Sequence, residues 1–339
     1  MSFEVNGLVS NLSPSANNKM KTKKEISHII EVKNLVKKYK KAKTNAVDDI
    51  SFYVDEGSFF SLLGPNGAGK TTAISILTTI LSKTEGVVTI AGFDVEKHPE
   101  KVRQEIGVIF QNPSLDLNLT AEENIRFHAS LYNLYAFMPT YSLMPSEYKK
   151  RVTKLAKVVG LEKDINKPVK TLSGGMKRKL EIIRSLMHQP KVLFLDEPTT
   201  GLDPVSRQNL WKYLQDIRKK EDITIFLTTH YLEEAENSDF ICIIDQGKIT
   251  TKGTPVEIKE SLIKKYITID SKDRTKLTNE LTSYKIKFEG VGPFKILINT
   301  QSTGQEIIQK IKTPLTFLDI HSPSLEDAYV EIITKNAQS

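Results

Sequence analysis

One cysteine and no long apolar run stand out as shortages in this chain of 339 residues. Each excludes something. Cys242 has no partner for a disulfide, which fits a reducing cytoplasm. It lies in the apolar run 240–244 without an activating neighbour, so it reads as core rather than as a catalytic thiol. No segment approaches the roughly 20 apolar residues that span a bilayer. Residues 1–24 lack the continuous apolar block of a signal peptide and carry their lysines after the weak apolar residues, so export is not expected.

What is present is ordinary for a folded chain: 39% hydrophobic and 26% charged residues argue against wholesale disorder. The length allows two domains and a sizeable core. The net charge of +7 owes much to lysines between Lys19 and Lys43, interleaved with Ser, Asn and Thr. That texture reads as a solvated tail and an exposed strand, so no nucleic acid is expected; a weak attraction to anionic lipid is the lesser reading.

Residues 1–27 read as a disordered polar extension. From Ile29 to about Gly253, short apolar runs alternate with amphipathic helical patterns, which predicts an α/β domain over 28–262 with a largely parallel sheet. Runs 59–63, 192–195, 223–227 and 240–244 are short, apolar and rich in branched or aromatic residues, as strands covered on both faces require. A helical subdomain is expected over about 112–188, clearest at 147–159 and 174–187. Beyond 263 the pattern becomes strand 266–269, helix 274–282, strands 285–288 and 294–298, helix 304–311, strand 315–320 and a final helix 324–333. That order predicts a small ferredoxin-like α+β domain over 263–339.

The chemistry sits at strand ends. Gly64-Pro65-Asn66-Gly67-Ala68-Gly69-Lys70-Thr71-Thr72 follows the strand 59–63 and precedes a helical run, 72–81. Glycines there let backbone N–H groups converge on phosphate oxygens, and a helix N-terminus adds its dipole. Lys70 can reach the β and γ phosphates, and the Thr71 hydroxyl can ligate Mg2+, so this P-loop NTPase pattern points to ATP. A glycine-rich turn without a ligand would not need the lysine, the threonine and both flanking elements. The run 192–195 ends in Asp196 and Glu197, placed by an open α/β sheet in the crevice beside the loop. Asp196 suits Mg2+ and Glu197 suits polarising the attacking water.

Further motifs in order make the chain resemble the ATP-binding-cassette family over about 29–253. Leu172-Ser173-Gly174-Gly175-Met176 is similar to the family signature, and Gln111 to the glutamine joining the magnesium site to the helical subdomain. Gly201-Leu202-Asp203 looks like the loop after the catalytic glutamate, His230 like the switch histidine, and Tyr39 like the aromatic that stacks on adenine. The resemblance implies that Ser173 and Gly175 contact the γ-phosphate of ATP held by a second subunit, that Gly174 and Asp203 also belong to the nucleotide site, and that two chains sandwich two nucleotides. Each has a bland alternative as well. A lone histidine after a strand is commonly structural, and an exposed aromatic near a strand is ordinary.

LSGGMKRKL at 172–180, LTAEEN at 119–124 and PSLEDAY at 323–329 resemble the daunorubicin-resistance-like branch. That branch implies a subunit peripheral to the cytoplasmic face of the membrane, driving export through a separately encoded permease. The partner ATPase would be a second copy or a homologous subunit. A soluble cassette ATPase that remodels a cytosolic complex is the alternative. Residues 135–145 look inserted relative to the family; they read as a loop packed on its own subdomain, with a permease contact as the lesser reading.

Overall fold

The computed structural model describes residues 28–112, 114–262, 266–298, 304–321, 324–326 and 329, so the expected extension over 1–27 lies outside the described residues. β1 (His28–Lys37) and β2 (Val47–Asp55) pair antiparallel and alternate buried with exposed positions, because only one face is covered. β3 (Phe59–Leu63) is buried at every residue. It leads into α1 (Lys70–Leu77), which starts two residues before the helical run read from the sequence. β4 (Glu85–Ile90) and β5 (Phe93–Asp94) then complete an antiparallel sheet of order β2-β1-β4-β5.

A second sheet carries the chemistry. α2 (Pro99–Glu105) leads into β6 (Ile106–Ile109), and three helices follow: α3 (Ala121–Leu131), α4 (Ser146–Val159) and α5 (Gly174–Leu186). β7 (Val192–Asp196), α6 (Pro204–Glu221), β8 (Thr224–Thr229), the single turn α7 (Leu232–Ala235), β9 (Phe240–Asp245), β10 (Lys248–Gly253) and α8 (Pro255–Leu262) come next. The strand order is β10-β9-β3-β8-β7-β6, parallel except for β10 at one edge.

Alternation along these strands feeds two cores. Phe60, Phe194 and Phe226 face the antiparallel sheet, where Phe60 stacks on Phe52 at 5.2 Å and on Phe226 at 5.0 Å. Phe59, Leu193, Leu195, Ile225 and Leu227 face the opposite way, against α3 to α6. Cys242 is buried among the first set, and burial pushes its thiol up to about 12, as a core residue requires.

α3 opens on a capping box between Thr120 and Glu123. Segment 135–145 packs on these helices. Met144 is buried, Arg126 Nη1 donates to Met138 O at 2.6 Å, and the Tyr135 and Tyr141 rings meet Tyr148 edge-on. Phe137 and Leu143 stay exposed.

β11 (Tyr266–Asp270), α9 (Arg274–Ser283), β12 (Phe294–Leu297), α10 (Gly304–Lys310) and β13 (Phe317–His321) form a small unit with the antiparallel order β12-β11-β13. The strand expected at 285–288 is not formed; a single bridge, Glu289 to Lys295, stands in its place. Its alternation has another cause, since Ile286 and Phe288 pack on the unit's core from an extended loop. Of the final helix expected over 324–333, residue 324 is described and not helical, 325, 326 and 329 are helical, and the others fall outside the described residues. Leu325 is buried beside Leu63, Ile241 and Ile243.

Candidate nucleotide site

The parallel register sets the site. Leu63 pairs with Thr229 and Asp196 with Thr228, so the ends of β3, β7 and β8 open on one crevice. Beyond Leu63 the chain turns so tightly that a Cβ at Gly64 would lie 2.2 Å from Ile244 O, and one at Gly69 would lie 2.4 Å from Ala46 O. Gly69 also holds φ at +109°, which favours glycine. No side chain caps α1, which leaves its first N–H groups available to an anion.

Lys70, the first residue of α1, is 4% exposed. Its Nζ donates to Gly64 O at 2.8 Å and to Pro65 O at 3.0 Å, and lies 3.5 Å from Glu197 Oε1. Burial pulls the ammonium below its ordinary range, opposed by the charges of Glu197 and Asp196. Asp196 accepts a hydrogen bond from Thr228 Oγ1, and burial pushes its carboxyl up.

Glu197 gathers the site. Its φ of +43° is left-handed, a costly conformation for a side chain of this kind, and its N–H is pinned to Thr228 O at 3.0 Å. The carboxylate accepts from Gln111 Nε2 at 3.2 Å, and His230 Nδ1 lies 3.1 Å from its other oxygen. The imidazole contact has the separation of an ion pair without the alignment of a hydrogen bond. Beside these groups a cavity of about 500 Å³ is lined by the loop from Asn66 to Thr72 and by Gln111, Glu197 and His230. Tyr39, 44% exposed, stands at the loop's outer side with its hydroxyl 3.3 Å from Thr72 Oγ1.

The remaining candidates lie elsewhere. Ser173 caps α5 by accepting from Met176 N–H at 3.2 Å, and with Gly175, Leu202 and Ser206 it lines a separate groove of about 90 Å³. Asp203 caps α6: Oδ1 accepts from Ser206 N–H at 2.9 Å and Oδ2 from Ser206 Oγ at 2.6 Å. Those bonds hold its carboxyl below the usual range. Within one chain these residues do not meet the phosphate loop.

Arg178 is the link that the sequence reading missed. It is buried on α5 and donates to Phe110 O at 2.6 Å, Gln111 O at 2.9 Å and Pro198 O at 2.8 Å, with Glu181 as its ion partner at 2.7 Å. One side chain thus ties the helix after the signature to the Gln111 loop and to the turn after Glu197. The available signal was an arginine at the same helical spacing as Ile182 and Ser185, with an acidic residue three positions on.

Comparison with known proteins finds related ATP-binding chains. A family model described as "ABC transporter" matches residues 47–200. Over 231 residues the chain is 43% identical to the doxorubicin resistance ATP-binding protein DrrA of Mycobacterium tuberculosis, covering 68% of this chain and 67% of that one. It is 35% identical over 295 residues to the Nod factor export ATP-binding protein I of Burkholderia thailandensis, covering 86% and 93%. It spans only 38% of the length of the probable multidrug ABC transporter ATP-binding protein YbhF of Escherichia coli, at 36% identity. Among solved structures it is similar to the dimeric ATP-binding cassette MJ0796 bound to ADP and Pi, with TM-score 0.58, 27% identity, and coverage of 66% of this chain and 98% of that one.

Proposed function

The chain belongs to the ABC transporter family of ATP-binding subunits, and from that membership we propose that it hydrolyses ATP between two copies to drive export through a separately encoded membrane permease. The observation that carries this reading is the convergence of Lys70, Gln111 and His230 on the Glu197 carboxylate at the mouth of the phosphate loop.

Each side chain then has a task. The loop N–H groups and the start of α1 cradle the phosphates, with Lys70 exchanging the carbonyls of Gly64 and Pro65 for phosphate oxygens. Glu197 takes a proton from the attacking water, and His230 donates a hydrogen bond to the γ-phosphate. Tyr39 offers its ring to adenine. Ser173, Gly174, Gly175 and Asp203, idle toward their own loop, are available to nucleotide held by the opposite copy.

Among the described residues no group of three or more His, Cys, Asp or Glu is arranged to hold a metal. The oxygen donors beside the loop suit Mg2+, which favours hard oxygens beside substrate phosphates. The Thr71 hydroxyl, the Asp196 carboxylate and the amide oxygen of Gln111 are the donors that would hold it, and bound there it would neutralise charge on the phosphates.

Export is supported by the printed roles of the two relatives named for doxorubicin resistance and Nod factor export. No helix among the described residues is long and apolar enough to cross a membrane, so on this reading attachment to the cytoplasmic face comes through the permease. Phosphate release by the purified chain tests the reading. Glu197→Gln is expected to lower kcat by about 10²- to 10⁴-fold while Mg-ATP still binds; near-normal turnover by that variant would remove Glu197 from its role.

A further inference from the structure

Glu234 is an acidic residue outside the cavity, 2% exposed, on the single turn α7 that follows His230. Burial pushes its carboxyl up, against the hydrogen bonds it accepts from Thr199 and Thr229. Both bonds are informative. Thr199 Oγ1 donates to Glu234 Oε1, and Thr229 Oγ1 donates to Oε2 at 2.6 Å. Thr199 stands two residues after Glu197 and Thr229 immediately before His230, and both threonines are fully buried. Thr229 Oγ1 also accepts from Tyr231 N–H at 2.9 Å, which closes the turn around the histidine.

A buried carboxylate is costly, and an apolar residue of similar volume on α7 would avoid that cost. What an apolar residue could not do is hold two hydroxyls on two different segments at once. Those segments carry the two partners of the 3.1 Å Glu197–His230 contact, and Glu197 sits there with left-handed backbone that needs support from its surroundings.

We propose that Glu234 is a positioning residue for hydrolysis, tying the turn after Glu197 to the turn before His230 and so setting the distance between the two. The inference rests on the catalytic reading of Glu197 and His230 given above. The Thr199 bond separates binding from turnover, because Thr199 lies after Glu197 and away from the phosphate loop, whereas Thr229 O also accepts from Gly64 N–H at 3.3 Å.

The test uses the full chain with Glu234→Gln, Thr199→Val and Thr199→Ser. For each variant kcat, the KM for Mg-ATP and the melting temperature are measured, with wild type and Glu197→Gln as references. The expected result is a loss of kcat on the order of ten- to hundredfold in Glu234→Gln and Thr199→Val. The KM should stay within about twofold of wild type, and Thr199→Ser, which keeps the hydroxyl, should recover most of the rate. If Glu234→Gln does not fold, the Thr199 pair decides alone. A folded Thr199→Val enzyme with wild-type kcat would overturn the proposal, as would a Thr199→Ser enzyme as slow as the valine variant. Should Glu197→Gln itself turn over normally, the underlying catalytic reading falls first and the positioning role falls with it.

Discussion

The loop half and the signature half of the site are finished to different degrees within one chain. Lys70, Gln111 and His230 already stand 3.1 to 3.5 Å from the Glu197 carboxylate beside a cavity. Ser173 and Asp203 use their side chains to cap their own helices, beside a groove a fraction of that size. The difference teaches that, if the proposed roles hold, the groups for attack on phosphate are gathered inside one chain. On the proposed reading, the second wall of the nucleotide site comes from another copy.

Arg178 is where the two halves join, and removing it should have the largest effect. Arg178→Ala leaves Glu181, 1% exposed, without its cation and frees three carbonyls on two loops. A destabilisation of about 3–5 kcal/mol is expected, read as a shift in urea midpoint at unchanged slope. A variant as stable as wild type would show that the halves are not braced by this side chain.

Lys70→Ala should next weaken nucleotide binding to the isolated chain. Charge-assisted contacts of this sort contribute about 1.5–3 kcal/mol, equivalent to a ten- to hundredfold rise in Kd by calorimetry. Unchanged affinity would move the phosphates away from Lys70. The smallest change belongs to the signature half: Ser173→Ala loses one helix cap, about 1 kcal/mol of stability, and should leave Mg-ATP affinity of a single chain untouched. An affinity loss like that of Lys70→Ala would mean that both halves meet the same nucleotide within one chain.

How much of this was legible in the sequence follows from how local each feature is. The phosphate loop is nine consecutive residues between a strand and a helix, so its residue types and spacing stand together in the text. β3, β7 and β8 were legible because strands buried on both faces are built mostly from apolar, branched and aromatic residues. Lys285 to Phe288 misled because alternation reports burial of one face, and a loop that sets Ile286 and Phe288 on a core satisfies it without pairing. Arg178 and Glu234 escaped for a different reason. Their partners Phe110, Pro198 and Thr199 lie 68, 20 and 35 residues away, joined only by the fold.

The central claim is that two chains complete the site around ATP. It is tested most directly by light scattering on size-exclusion-purified Glu197→Gln protein, with and without Mg-ATP. The account predicts one chain per particle without nucleotide and two chains with two bound ATP when Mg-ATP saturates. A particle that stays monomeric at saturating Mg-ATP, or one whose dimerisation ignores nucleotide, would contradict it.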